Sequence, residues 1–147
     1  MPSRRRSPKK VDNFCWAKDF KPRRRAQFDT YELSNPEDSF VATSGNRIVG
    51  FARFGRLRGR HALISLSLMP EFRGEQSRAL LVNAVRAEFE RHPDVEAIYG
   101  TSGRHRVAAK ERALARWYEM SGAERVDEPL FTHRIPRSKF LARHPPE

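Results

Sequence analysis

A half-buried strand that runs almost directly into a long amphipathic helix dominates this sequence. From Ala62 to Met69 (ALISLSLM), Ser65 and Ser67 alternate with Ile64, Leu66 and Leu68, the period-two pattern of a strand with one face on a core. Pro70 stops the run. From about Glu75 to Arg91, Leu81, Ala84, Val85 and Phe89 recur at helical spacing, and Arg78, Arg86, Glu88 and Glu90 are available for the wet side. Only Pro70 to Gly74 separates the two elements. The first N–H groups of a helix have no internal acceptor and sit at the positive end of its dipole, so such a junction suits an anion, a pyrophosphate above all. Small residues there let phosphates approach the backbone, and a nearby Arg adds charge-assisted hydrogen bonds.

The elements on either side predict a mixed α/β chain. Ser39 to Ser44 (SFVATS) and Arg47 to Phe54 (RIVGFARF) are rich in β-branched and aromatic residues and are separated by Gly45-Asn46, a pair suited to a hairpin turn. Arg56 to Arg60 reads as a basic connector. After the long helix, His92-Pro93-Asp94 precedes a strand from Val95 to Tyr99, and Val107 to Met120 reads as a helix closed by Gly122. Two more strands fit near Glu124 to Val126 and from Leu130 to Ile135. Earlier in the chain, Asn13 to Phe20 reads as a short strand and Arg24 to Leu33 as a poor helix. The expected organisation is a basic flexible tail (1–11), short N-terminal elements (12–38), one α+β core (39–137) and a polar C-terminal tail (138–147).

Length and composition restrict the class. A chain of 147 residues buries one core without staples, and a second domain is not expected. Cys15 stands alone, and no stretch resembles a signal peptide or an 18-residue membrane span, which points to a reducing, aqueous compartment, cytoplasmic rather than secreted. The net charge of +11 is unevenly distributed, because residues 1–25 hold ten Lys or Arg against Asp12 and Asp19. Arg4, Arg5, Arg6, Lys9, Lys10, Arg23, Arg24 and Arg25 are therefore candidates for contact with nucleic acid or another polyanion, directed at phosphates and sensitive to salt. A second basic cluster, Thr101 to Arg106 with Lys110 and Arg112, reads first as a solvated loop. His61, His92, His105, His133 and His144 show no metal-ligand spacing, and no structural metal is expected.

Pro70-Glu71-Phe72-Arg73-Gly74 after Leu68-Met69, then Ala79-Leu80-Leu81, with Trp117-Tyr118-Glu119-Met120-Ser121-Gly122 closing the next helix, resembles the GNAT acetyltransferases over residues 39–136. The resemblance implies a mixed, mostly antiparallel sheet flanked by helices. It also implies acetyl-CoA held by Leu68, Met69, Arg73, Gly74, Glu75, Gln76, Ser77 and Arg78. The family loop usually carries further glycines. Here Glu75-Gln76-Ser77-Arg78 follows Gly74, one residue short, and Glu75 puts a negative charge beside where phosphates would sit. Tyr118 matches the family tyrosine that commonly protonates the departing thiolate, while Glu111 stands where an Asn is often found. The strand before the loop has no acidic residue to serve as base, which leaves His61 as its titratable substitute. Each also has a bland reading: an inherited helix start, a packing tyrosine, a surface histidine.

Two functions follow. One is an N-acetyltransferase acting on an amine from acetyl-CoA. The other, favoured on the eroded loop, is a structural or binding component of a nucleoprotein assembly with protein partners around it, since the chain also broadly resembles GNAT-like proteins of short-tailed phage particles. Neither involves a membrane.

Overall fold

The chain is seen in a computed structural model that describes residues 9–21, 35–101 and 108–145. Seven strands form one sheet: β1 (Asn13–Trp16), β2 (Ser39–Ser44), β3 (Arg47–Leu57), β4 (Arg60–Leu68), β5 (Ala97–Gly100), β6 (Glu124–Arg125) and β7 (His133–Pro136). Their spatial order is β1-β2-β3-β4-β5-β7-β6. Every pairing is antiparallel except β4 with β5. The helices are α1 (Glu75–Arg91), α2 (Ala108–Met120) and α3 (Arg137–Arg143). From residue 39 the order of elements is the one the sequence predicts, and the mixed, mostly antiparallel sheet flanked by helices is the expected fold class.

Two tight turns build the β2–β3–β4 meander. Gly45 has φ +58 while Asn46 keeps a negative φ, the pattern of a type II′ turn. The expected connector at Arg56 to Arg60 is instead a second hairpin. Leu57 pairs with Arg60, and both residues between them take positive φ, Arg58 at 50 and Gly59 at 77.

The alternation of β4 breaks at one point. Arg53 pairs with Ser65 but Phe54 with Leu63, so Ile64 is an extra residue in the ladder. This bulge leaves Ile64 at 41% exposure and turns Leu63 into the core, the reverse of what strict alternation predicts for Ile64.

Helix α1 lays Leu80, Leu81, Ala84, Val85, Glu88 and Phe89 on the sheet. Glu88, expected on the wet side, is wholly buried. The reason is positional: residues 81, 84, 85 and 88 follow the i, i+3, i+4, i+7 spacing, so Glu88 continues the apolar stripe.

The C-terminal end also departs from expectation, since α3 forms where a polar tail is predicted. Its anchor is Phe140, fully buried with its ring centroid 5.7 Å from that of Phe89. Arg137 completes the attachment. Its guanidinium donates to the carbonyls of Phe89 at 2.8 Å, Val95 at 2.7 Å and His92, which ties α3 to the end of α1 and the turn after it. No helix among the described residues is long and apolar enough to cross a membrane.

Candidate functional site

Strands β4 and β5 run parallel, but they pair only at Ala62 with Tyr99. Beyond that pair β4 continues to Leu68 with only β3 beside it among the described residues, while β5 ends at Gly100 and pairs with β7. The rest of that β4 edge thus has no strand beside it among the described residues, and α1 begins at its far end.

A cleft of about 660 Å³ lies at that end. Its floor is β4 at Leu66, Ser67 and Leu68; its rim is Arg73, Gly74, Glu75, Ser77 and Arg78; its far wall is α2 at Ala113, Leu114, Arg116, Trp117 and Met120. Gly50 on β3 lets the floor lie where it does, because a Cβ there would stand 2.5 Å from Leu68 Cδ1 and 2.9 Å from the Ser67 carbonyl oxygen.

The junction is tight. Gly74, with φ 113 and ψ −135, occupies backbone space that L side chains rarely adopt and precedes α1 without a side-chain cap. No side chain caps α1, whose positive dipole end lies at the rim, and of its first amides that of Ser77 bonds to the Gly74 carbonyl at 3.0 Å. Arg73 Nε donates to the Leu68 carbonyl at 3.0 Å, which holds the guanidinium across the junction.

Of the residues expected at the cofactor loop, Leu68, Arg73, Gly74, Glu75, Ser77 and Arg78 line the cleft, while Met69 and Gln76 do not. Gln76 turns to the opposite side. Its Nε2 donates to the Phe72 carbonyl at 2.8 Å and to that of Lys9, and its Oε1 accepts from the Val11 N–H. With the Lys9 N–H on the Glu71 carbonyl at 2.7 Å, the segment from Lys9 is strapped to the back of the loop. Lys9, Lys10 and Arg112 are exposed, whereas Arg4, Arg5, Arg6, Arg23, Arg24 and Arg25, residues 102–107 and the side chains of Lys110 and Glu111 lie outside the described residues.

Tyr118 and Trp117 are neighbours on α2 and so point about 100° apart. Trp117 lines the cleft, whereas the Tyr118 hydroxyl abuts Gly100, one residue past the β4–β5 pair. Burial pushes this hydroxyl well above the ordinary tyrosine range, which keeps it protonated. The end of α2 is fixed by Gly122 at φ +83, with Ala123 N–H on the Tyr118 carbonyl at 2.9 Å and Gly122 N–H on that of Glu119 at 3.1 Å. These two bonds are a Schellman cap.

His61 is not at the cleft. Its Nε2 lies 2.7 Å from Glu88 Oε2 near the far end of α1. Glu88 is thirteen residues along α1 from Glu75, a rise of roughly 20 Å. A base so placed cannot reach an amine at the cleft.

Two features went unseen in the sequence. His133 is buried on β7 across from Gly100 and packs on Tyr118. His61, Glu88 and His92 converge although their sequence positions gave no metal pattern, the one available signal being the i,i+4 spacing of Glu88 and His92. A smaller hollow of about 350 Å³ lies between the Arg58–Arg60 turn and Glu128 to Phe131; its carboxylate, Glu128, is committed to Arg60 at 2.8 Å.

Comparison with known proteins agrees with this geometry. The acetyltransferase (GNAT) family model matches residues 7–122. A protein of Exiguobacterium sp. 255-15 assigned as an acetyltransferase superposes with a TM-score of 0.54 at 18% identity, over 71% of this chain and 65% of that one. A protein of Desulfovibrio desulfuricans assigned to the GNAT family superposes with a TM-score of 0.52 at 19% identity, over 67% of each chain. The chain thus spans just under two thirds of the Exiguobacterium protein. Among curated proteins none matches.

Proposed function

Since the chain belongs to the GNAT acetyltransferase family, over the residues 7–122 that its model matches, we propose that it transfers an acyl group from acyl-CoA, acetyl-CoA in the first instance, to an amine. The observation that carries this reading is the double character of the cleft. Arg73 and Arg78 stand at the start of α1 and Arg116 faces them from α2, and Leu66, Leu68, Leu80, Leu81, Leu114 and Trp117 line the interior. Cations and free amides suit phosphates, and the apolar walls suit a thin alkyl-amide arm. The β4 edge, released by the departure of β5, offers backbone donors and acceptors to the arm's amides.

When bound, acetyl-CoA supplies an activated thioester carbonyl. The chain's own part is to orient it and to manage protons. The amine nitrogen bonds to the carbonyl carbon as the C–S bond breaks, and the sulfur takes a proton from the Tyr118 hydroxyl, the group the family resemblance implies for this step; burial makes it a reluctant donor, and solvent returns the proton to the tyrosinate. The proton lost by the nitrogen goes to solvent, because His61 is remote and Glu75, the carboxylate of the cleft, sits at the rim where phosphates belong. Glu75 also lowers affinity by repulsion, so this loop is a weak version of the family's.

The alternative, an assembly component, rests on the shortened loop with its Glu75 and on arginines outside the described residues. Calorimetry with acetyl-CoA tests the proposal. Measurable heat and a raised unfolding temperature are expected; neither at millimolar ligand would overturn it, since any productive site stabilises the fold by mass action.

A further inference from the structure

Glu88 is a carboxylate in the apolar stripe of α1, with no solvent exposure, and the proposed acyl transfer does not use it. Such a group is retained in a core only when paired. Arg91 supplies one partner, with Nη2 at 2.7 Å and Nε at 2.9 Å from Oε1. The charge of Arg91 is itself answered by Asp38 at 3.2 Å and by the Trp16 ring 4.0 Å beneath it. Two imidazoles then converge on the same carboxylate. His61 Nε2 lies 2.7 Å from Oε2, and His92 Nε2 lies 3.6 Å from Oε1.

We infer that His61, Glu88 and His92 form a site for a divalent transition-metal ion, with zinc the best fit. Their three donor atoms lie within 4.8 Å of one another, and two imidazole nitrogens with one carboxylate oxygen are a set that zinc takes when a fourth position is left to water. Ligands about 2.0–2.1 Å from a tetrahedral ion stand roughly 3.3 Å apart. The 2.7 Å from His61 Nε2 to Oε2 is shorter than that and the 4.8 Å within which the three donors lie is wider, so the imidazoles close round the ion by swinging about 1 Å. Arg91 plays the outer partner's part by holding Oε1, which fixes the carboxylate and leaves Oε2 toward the ion. His92, at 39% side-chain exposure, opens the site to solvent and gives the ion a way in.

The ion would clasp the first residues of β4 to the last turn of α1, roughly 20 Å from the cleft. Its role is bracing, and it stands or falls separately from acyl transfer. Without metal, His61 donates to Glu88 as a plain hydrogen bond, and the test must separate these two states.

The full-length chain without a histidine tag, stripped with chelator and dialysed, is titrated with Co(II) and then Zn(II). One equivalent of Co(II) with intense visible d–d absorption is expected, displaced by zinc. Zinc at a hundredfold excess over its Kd should raise the unfolding temperature by about 5–10 °C. His92→Ala, at a half-exposed position, should fold as the wild type does without metal and lose at least tenfold in zinc affinity. Glu88→Gln, if it folds, should lose the Co(II) spectrum. Absence of both the spectrum and the thermal shift in the wild type would overturn the assignment, as would undiminished zinc binding by His92→Ala.

Discussion

The imidazole of His133 lies stacked on the ring of Tyr118, with centroids 4.8 Å apart and planes 23° apart. Its Nδ1 is 2.8 Å from Thr132 Oγ1, while its buried Nε2 has no hydrogen-bond partner among the described residues. Desolvation, and then the charge of Arg125, lower its pKa from the ordinary 6.5. The unfolded chain therefore takes up a proton that the folded chain refuses. Stability is intact above about pH 6.5 and falls as pH drops below it, until the folded imidazole is protonated as well. His144, lowered by burial and by Arg86 and Arg143, adds to the same trend.

Replacing His133 with Phe keeps the stacked ring and removes the unpartnered nitrogen. Stability at pH 7 should rise by about 1 kcal/mol, the cost of a buried unmet polar atom. The loss between pH 7 and pH 5 should shrink but not vanish, because His144 remains. Urea unfolding of both proteins at the two pH values measures this, and an unchanged acid sensitivity would exonerate His133.

Gly100 is held to glycine by Tyr118. A Cβ on it would stand 2.2 Å from the tyrosine hydroxyl and 2.6 Å from Cζ, and the ring cannot retreat because Trp117 and His133 pack on it. Gly100→Ala should cost about 2–3 kcal/mol as an overpacked core. It should also depress acyl transfer by displacing the hydroxyl. Tyr118→Phe separates the two effects: kcat should fall by roughly 10²-fold while KM for acetyl-CoA and the fold are retained. An undiminished kcat in Tyr118→Phe would remove the tyrosine from the reaction.

The elements that the sequence displays well are those whose pattern is local. α1 lies where its period predicts, and the β2–β3 turn is carried by Gly45-Asn46. The misses are tertiary. Nothing in Arg137 to Arg143 announces a helix, because one buried Phe140 and the Arg137 guanidinium on the end of α1 hold it. The bulge at Ile64 is set by pairing with β3, which a single strand's alternation cannot reveal. The cleft rim was legible as a strand–helix junction. Its α2 wall and the convergence of His61 with Glu88 depend on how distant segments meet.

Glu75 and Arg78 set opposite signs at the cleft rim. Glu75→Gln removes repulsion of phosphate and should tighten acetyl-CoA binding by about 3–10-fold at low salt, with the gain shrinking as salt screens it. The same change gives up a favourable charge at the start of α1, a loss of about 0.5 kcal/mol in stability. Arg78→Ala should weaken binding by a similar factor. Calorimetry at two ionic strengths checks both; equal affinities across the three proteins would place the phosphates elsewhere.

The β3–β4 turn gives a prediction about stability alone. Arg58 at φ 50 and Gly59 at φ 77 form a two-residue loop with both central residues left-handed, the type I′ geometry that favours Asn-Gly. Arginine pays the Cβ penalty of that region at about 1 kcal/mol, and asparagine tolerates the region better. Arg58→Asn should therefore stabilise the chain by about 0.5–1 kcal/mol, a rise of roughly 2–4 °C in unfolding temperature. Arg58→Gly should gain less, since glycine also frees the unfolded chain. Because the ion pair of Arg60 with Glu128 is left in place and the turn lies outside the cleft lining, acetyl-CoA binding should not change. Thermal unfolding of the two variants decides it, and a lower unfolding temperature for Arg58→Asn would show that the arginine side chain contributes more than its backbone costs.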